Sequence, residues 1–332
     1  MIELILTFII LLSSIIILWK GSDWMTDSLI PVAQKLGTGY IAITTVLISL
    51  LLIIPELFVA IYSYLFGHLN VGLGVIIGSV MINIGLSVGL IAAIKPLKVD
   101  KQVAIRDGIF LIAGAVVVLL FGSDLKYTRT EGAVLLVLLI PYALNVWYSE
   151  QLRSMKSRKA KVKSIEKNLY LMGKIKIFDF NPSIKIFFLG GFFLALGSYF
   201  FSYSLINLSE MLPLPEIVIG IVFGAIGTEL PNLFAAVQGT LKGYKDVAIT
   251  ETLGSNIFTL LLIIGTIAVL NPFNIAGKIF YYDLTWMIII NLLMIGFIFK
   301  GYRYKEASIT RFEGISLVLF YIAILVADIF LF

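Results

Sequence analysis

The sequence predicts an all-α, polytopic membrane protein of ten transmembrane helices arranged as two inverted five-helix repeats. Three observations predict it. The 332-residue chain is 60% hydrophobic and only 14% charged, with a mean hydropathy of +1.03, and a soluble domain cannot leave that much apolar surface in water. Ten segments are long and apolar enough to span a bilayer, which takes about 20 residues. Two stretches also repeat one another at a fixed offset of 176 residues, the spacing of Pro55 and Pro231 (231 − 55). The same offset carries Gly21-Ser22 onto Gly197-Ser198, Gly67 onto Gly243, Gly78-Ser79 onto Gly254-Ser255, Gly89 onto Gly265 and Pro96 onto Pro272. Breaks at matching places in two halves are the sequence mark of a transporter's midplane site.

The first segment, 2–19, begins with no basic n-region, so it reads as a retained span and not a cleaved signal peptide. The second, 38–66, is interrupted by Pro55-Glu56, and the third, 71–94, by Gly78-Ser79 and Asn83. The fourth and fifth are 105–121 and 131–148. A polar stretch rich in Lys and Arg, 149–183, then separates five spans from five. The sixth span is 184–206. The seventh, 214–240, holds Pro231, and the eighth, 247–270, holds Gly254-Ser255 and Thr259. The ninth and tenth are 282–299 and 312–332. The expected division is a first repeat (1–148), a basic linker (149–183) and a second repeat (184–332).

Five spans per half is odd, so the second half enters the membrane in the opposite sense and a pseudo-two-fold axis lies in the membrane plane. With the N-terminus outside, Lys and Arg divide 22 inside to 3 outside, the three being Lys126, Arg129 and Lys278. The positive-inside rule therefore predicts both termini outside and a cytoplasmic linker in the cell membrane. The net charge of +5 follows from this topology. Attraction of the linker to anionic lipid heads is a simpler reading than nucleic-acid binding, so no nucleic-acid partner is expected.

An intramembrane carboxylate is costly and is by default a functional candidate. Glu56 is one, and its repeat partner at offset 176 is the neutral Asn232. The proline before each removes a backbone donor and frees a carbonyl one turn earlier, near Leu51 or Leu52 and near Gly227. Ser79 and Asn83, like Ser255 and Thr259, are spaced i to i+4, which puts the oxygens of each pair on one helix face. With Thr228 and Glu229 these residues supply the oxygens that hard cations such as Na⁺ and Ca²⁺ require. Glu251 reads equally as a pathway acid and as a solvated one. Asp23 and Asp27, one turn apart, read either as cation-attracting or as a solvated acidic face. The chain has no cysteine and one histidine, His68, so a soft transition-metal site is excluded. It carries no Walker loop, dinucleotide fingerprint or H-E-x-x-H, so neither a cofactor nor an enzymatic activity is expected.

Gly227-Thr228-Glu229-Leu230-Pro231-Asn232 resembles the G-T-S-L-P-E signature of the cation/Ca²⁺ exchanger superfamily, the sodium/calcium and proton/calcium antiporters. Gly254-Ser255-Asn256-Ile257 resembles its G-S-N-I signature, and Pro55-Glu56 and Gly78-Ser79-Val80-Met81-Ile82-Asn83 stand at the matching places of the first half. Gly21-Ser22-Asp23-Trp24 resembles the family's first-helix ending. The resemblance covers nearly the whole chain. It implies that the second, third, seventh and eighth spans form an ion-binding core against which the long first and sixth spans slide. The family's two central glutamates fall on Glu56 and Asn232, its Thr-Ser of the first half on Leu52 and Ile53, and its acidic or amide residues of the third and eighth spans on Asn83 and Thr259. This chain thus keeps one of the family's central acids in place and carries another, Glu229, where the signature has Ser.

The expected function is secondary active cation antiport by alternating access around a midplane site. Glu56 is the main charged ligand there. Asn232, Asn83 and Thr259 complete the central shell, and Thr228, Ser79 and Ser255 flank it. Glu229 is a second acid that would restore a charge of −2 for a dication. The partners are inorganic cations (Na⁺, Ca²⁺ or H⁺) and the lipid bilayer. Two alternatives stay open: a monovalent-cation or proton-coupled exchanger without Ca²⁺ selectivity, and a non-transporting binding module of the same fold.

Overall fold

The structure is a computed structural model and describes residues 2–35, 49–99, 101–151, 180–181, 183–241, 246–303 and 308–331. Positions 38–48 of the second predicted span and nearly all of the linker lie outside the described residues. The helices are α1 (Ile2–Lys35), α2 (Ile54–Leu65), α3 (Leu69–Ile94), α4 (Lys101–Phe121), α5 (Arg129–Gln151), α6 (Ile184–Met211), α7 (216–241), α8 (246–270), α9 (279–303) and α10 (Arg311–Leu331). Among the described residues nine helices are long and apolar enough to cross a membrane, and Ile54–Leu65 is a shorter apolar helix. The protein is an all-α, multi-pass membrane protein.

Two elements depart from the sequence expectation. The helix α1 runs to Lys35 and does not stop near residue 19. Gly21-Ser22-Asp23 does not end it, because α6 lies against the glycine: a Cβ on Gly21 would stand 2.6 Å from the Leu194 backbone nitrogen. The contact is reciprocal, since a Cβ on Gly197 would stand 2.8 Å from the Leu18 nitrogen. Four two-residue strands also join the loops. β1 (Leu97–Lys98) pairs antiparallel with β4 (Ser308–Ile309), and β2 (Lys126–Tyr127) with β3 (Phe273–Asn274).

The centre of the bundle is α3. Every residue from Val71 to Gly85 is buried, as expected of a helix enclosed by other helices. By contrast α1 exposes Ile2, Ile5, Ile9, Leu12 and Ile16, an apolar ridge at helical spacing that suits contact with lipid. Small residues let backbones meet in the interior. Gly74 of α3 and Gly220 of α7 face each other, and a Cβ on Gly74 would stand 2.3 Å from the Ile217 carbonyl oxygen. Gly74→Leu is therefore expected to cost on the order of 3 kcal/mol through overpacking, read as a lowered thermal unfolding midpoint of the detergent-solubilised protein.

The prolines act differently in the two halves. Pro55 sits in the first turn of α2, after a turn at Ile53 that separates α2 from the helical residues 49–52. Pro231 lies inside α7, which continues through it. In both places the proline has no N–H to donate, so the carbonyl four residues earlier loses its helical partner. Wider π-turns interrupt α3 at Asn83–Val88, α7 at Gly220–Gly224 and α8 at Thr259–Ile263. Asn83 and Thr259 each open one, at the 176-residue spacing (259 − 83). Such turns are frequent at functional sites because they re-aim side chains.

Candidate cation-binding site

The first turn of α2 carries Glu56, which is 1% exposed. Thr228 of α7 lies beside it, but its hydroxyl is turned onto the Gly224 and Ala225 carbonyls, 3.3 Å from each. Both carboxylate oxygens of Glu56 are left without a hydrogen-bond partner. A buried anionic group in that condition is far from its solvation minimum and is complementary to a cation.

Glu229, one residue beyond Thr228, is equally buried and close enough to Glu56 for their charges to interact. It is well supplied with donors. Asn83 Nδ2 of α3 donates to its Oε1 at 2.8 Å, and Asn232 Nδ2, one turn along α7, donates to its Oε2 at 3.0 Å. Asn83 Nδ2 also donates to Asn256 Oδ1 of α8 at 3.0 Å, and Asn256 Nδ2 returns to the Val80 carbonyl at 3.3 Å. Three helices are thus joined by an amide–carboxylate chain, with Glu56 of α2 facing it. Hydrogen bonds to a carboxylate in a low-dielectric interior fix its orientation.

The remaining sequence candidates sit around this chain without joining it. Ser255 is buried, and its hydroxyl donates to the Thr252 carbonyl at 3.0 Å, the local bond that hydroxyls in membrane helices often make. Ser79 is fully buried with no hydrogen-bond partner for its hydroxyl. Thr259 is buried where α8 widens. Asn256 is a member of the cluster that sequence reasoning did not list, although it stands inside the Gly254-Ser255-Asn256-Ile257 signature. The signal was a second spacing: Asn256 follows Asn83, and Glu229 follows Glu56, by the same 173 residues. The side chain of Glu251 lies outside the described residues.

A small pocket between α1 and α7 borders this cluster at Asn232. Its α1 wall is Trp19, Ser22, Asp23, Thr26 and Asp27, and its other wall is Leu52, Pro231 and Asn232. Asp23 and Asp27 therefore border a space that ends at a side chain bonded to Glu229. Acidic walls concentrate cations in a cleft. Replacing both with Asn is expected to slow cation uptake from that side about tenfold at low ionic strength and much less in high salt, measured as initial rates in oriented proteoliposomes.

Two carboxylates with amides and hydroxyls suit a hard cation and not a soft one. Among the described residues no group of three or more His, Cys, Asp or Glu is placed to hold a metal ion, and the buried acids of this cluster are Glu56 and Glu229.

Comparison with known proteins places the fold and the family. A family model described as "Sodium/calcium exchanger protein" matches residues 6–148 and 182–330. The chain is 27% identical to the sodium/calcium exchanger MaX1 of Methanosarcina acetivorans, over 96% of this chain and 97% of that protein. It is 22% identical to the inner membrane protein YrbG of Escherichia coli, over 87% and 88%. Among solved structures the H⁺/Ca²⁺ exchanger CAX superposes with a TM-score of 0.72 at 15% identity, covering 96% of this chain and 82% of that one. The sodium-calcium exchanger NCX_Mj soaked with Na⁺ and Sr²⁺ superposes with a TM-score of 0.62 at 23% identity, covering 98% and 99%.

Proposed function

The chain belongs to the sodium/calcium exchanger protein family, and from that premise we propose that it is a secondary active antiporter that exchanges Ca²⁺ for Na⁺ or H⁺ at a site between Glu56 and Glu229. One observation carries the reading: Glu56 is buried with both oxygens unpartnered, within electrostatic reach of a second buried carboxylate. The pair supplies a charge of −2, which offsets a dication. Desolvating Ca²⁺ in a bilayer requires compensation of that size, so the pair favours Ca²⁺ over the monovalent-only alternative. The site is therefore centred on Glu56 and Glu229, with Asn232, Asn83 and Asn256 orienting the second acid. Thr228, Ser79, Ser255 and Thr259 line its surroundings.

The packing supports alternating access. The cluster is carried by α2, α3, α7 and α8, while α1 and α6 cross outside it, in contact through Gly21 and Gly197. Glycine contacts leave a smooth surface along which two long helices slide. The two halves are related as inverted repeats of 1–148 and 184–332, joined by the cytoplasmic linker 149–183, with both termini outside. The reciprocal contact supports this, because Gly21 meets Leu194 and Gly197 meets Leu18, residues 176 apart in each case (197 − 21 and 194 − 18). So do the ladders, each of which joins one strand from each half.

Proteoliposome flux tests the function. An outward Na⁺ or H⁺ gradient is expected to drive ⁴⁵Ca²⁺ uptake by the wild type. Saturable Ca²⁺ binding with no counter-transport under either gradient would instead identify a binding module of the same fold.

A further inference from the structure

The repeat relation also pairs two acids outside the core. Asp107 in α4 and Asp283 in α9 are 176 residues apart (283 − 107), and both are almost wholly inaccessible, at 0% and 1% exposure. The first is matched in charge. Arg106 donates to both its oxygens, from Nε at 2.6 Å and Nη2 at 2.8 Å, and Arg106 Nη1 reaches the Ser149 hydroxyl of α5 at 2.5 Å. One anion meets one cation in a bidentate pair.

The second is not matched. Asp283 meets another acid, Asp328 of α10, also 1% exposed. Among the described residues one ammonium, that of Lys278, serves both: it bonds Asp328 Oδ1 and lies 3.9 Å from Asp283 Oδ1. The Oδ2 atoms of Asp283 and of Asp328 are each buried with no hydrogen-bond partner. Tyr282 also faces the pair, and its hydroxyl is bonded to the Ile324 carbonyl at 3.3 Å. Among the described residues, two carboxylates against one ammonium leave one buried negative charge in excess at this end of the bundle. Asp328 is moreover in the last turn of α10, where the helix dipole disfavours an anion.

We propose that Asp283 and Asp328 together bind one proton, at the end of the bundle that carries the β2–β3 ladder, in a site separate from the exchange core. The proton comes from water on that side. It converts one carboxylate to a carboxylic acid whose O–H donates to the other. The excess charge is thereby cancelled and a partner is supplied to oxygens that otherwise have none. A proton suits the place better than a metal ion, which would require further oxygens.

Infrared spectra of the full chain in detergent, across a pH titration without Na⁺, read protonated carboxyls directly. The wild type is expected to show at neutral pH a protonated-carboxyl band, one component of which survives in Glu56→Gln/Glu229→Gln, where the core acids are gone, and is lost when either Asp283→Asn or Asp328→Asn is added to that variant. A thermal unfolding midpoint for Asp328→Asn at or above the wild-type value at high pH supports the proposal too, because this variant leaves a balanced Lys278–Asp283 pair. If that component survives Asp328→Asn, or the core variant has no band, the proposal is overturned. A wild-type band that vanishes on adding Na⁺ but not choline would make a metal ion the resident cation, and overturns the assignment to the proton.

Discussion

Glu56→Gln is expected to abolish exchange while leaving the protein folded and, without cation, no less stable. The two effects have opposite signs for one reason. A buried carboxylate without partners destabilises the empty protein, so a neutral isostere removes a desolvation cost. In the loaded protein the same charge faces the cation. Removing one partner of a buried ion pair costs about 3 kcal/mol or more, on the order of a hundredfold in affinity. The thermal unfolding midpoint in Ca²⁺-free buffer is thus expected to hold or rise. The upward shift that Ca²⁺ gives the wild type is expected to disappear, because stabilisation by a ligand scales with its occupancy. Flux equal to wild type would remove Glu56 from the site.

The second large effect is a rescue. Glu229→Gln is expected to lose Ca²⁺ exchange as fully as Glu56→Gln, because each acid supplies half of the charge that balances a dication. In the double variant Glu229→Ser/Asn232→Glu the carboxylate moves one helical turn along α7 and restores the Thr-Ser-Leu-Pro-Glu pattern of the exchanger signature. Positions 229 and 232 are neighbours on one face of the helix, as the Asn232–Glu229 hydrogen bond demonstrates. Exchange is expected to return to within about tenfold of wild type, the range typical for a disturbed supporting shell. Asn232→Glu alone puts a third carboxylate beside two, and is expected to weaken binding by like-charge repulsion. If the double variant is as inactive as Glu229→Gln, the two positions are not interchangeable and Glu229 acts otherwise than as the second ligand.

Much of this was legible in the sequence, because the membrane writes its constraints plainly. Apolar segments of spanning length gave the helices, and the 176-residue repeat located Pro55 and Pro231, Asn83 and Thr259 on matching elements. What the sequence hid depends on side-chain direction. Offset arithmetic made Asn232 the counterpart of Glu56, yet the acid that meets Glu56 is Glu229, reached through the Asn83 and Asn232 amides. A repeat aligns backbones, and a functional group can still move one turn and keep its face. Asn256 escapes the same reasoning: the i to i+4 pairing of Ser255 with Thr259 points along one face of α8, while the amide that bonds Asn83 stands one residue beyond Ser255. Asp23 and Asp27 read from the sequence either as cation-attracting or as a solvated acidic face, and Gly21-Ser22-Asp23-Trp24 resembles a helix ending. In the structure that glycine is a packing contact, and α1 carries both acids along the pocket that reaches Asn232. Local pattern cannot distinguish a helix-ending glycine from one that admits a neighbouring backbone.

The most direct test of the account is the position of the bound cation. Crystals soaked in Ca²⁺, Sr²⁺ or Mn²⁺ are expected to show one anomalous peak between α2 and α7, about 2.3–2.6 Å from a carboxylate oxygen of both Glu56 and Glu229 for Ca²⁺. A peak bound by Glu56 without Glu229, or one anywhere outside that space with the two carboxylates left bare, would contradict it.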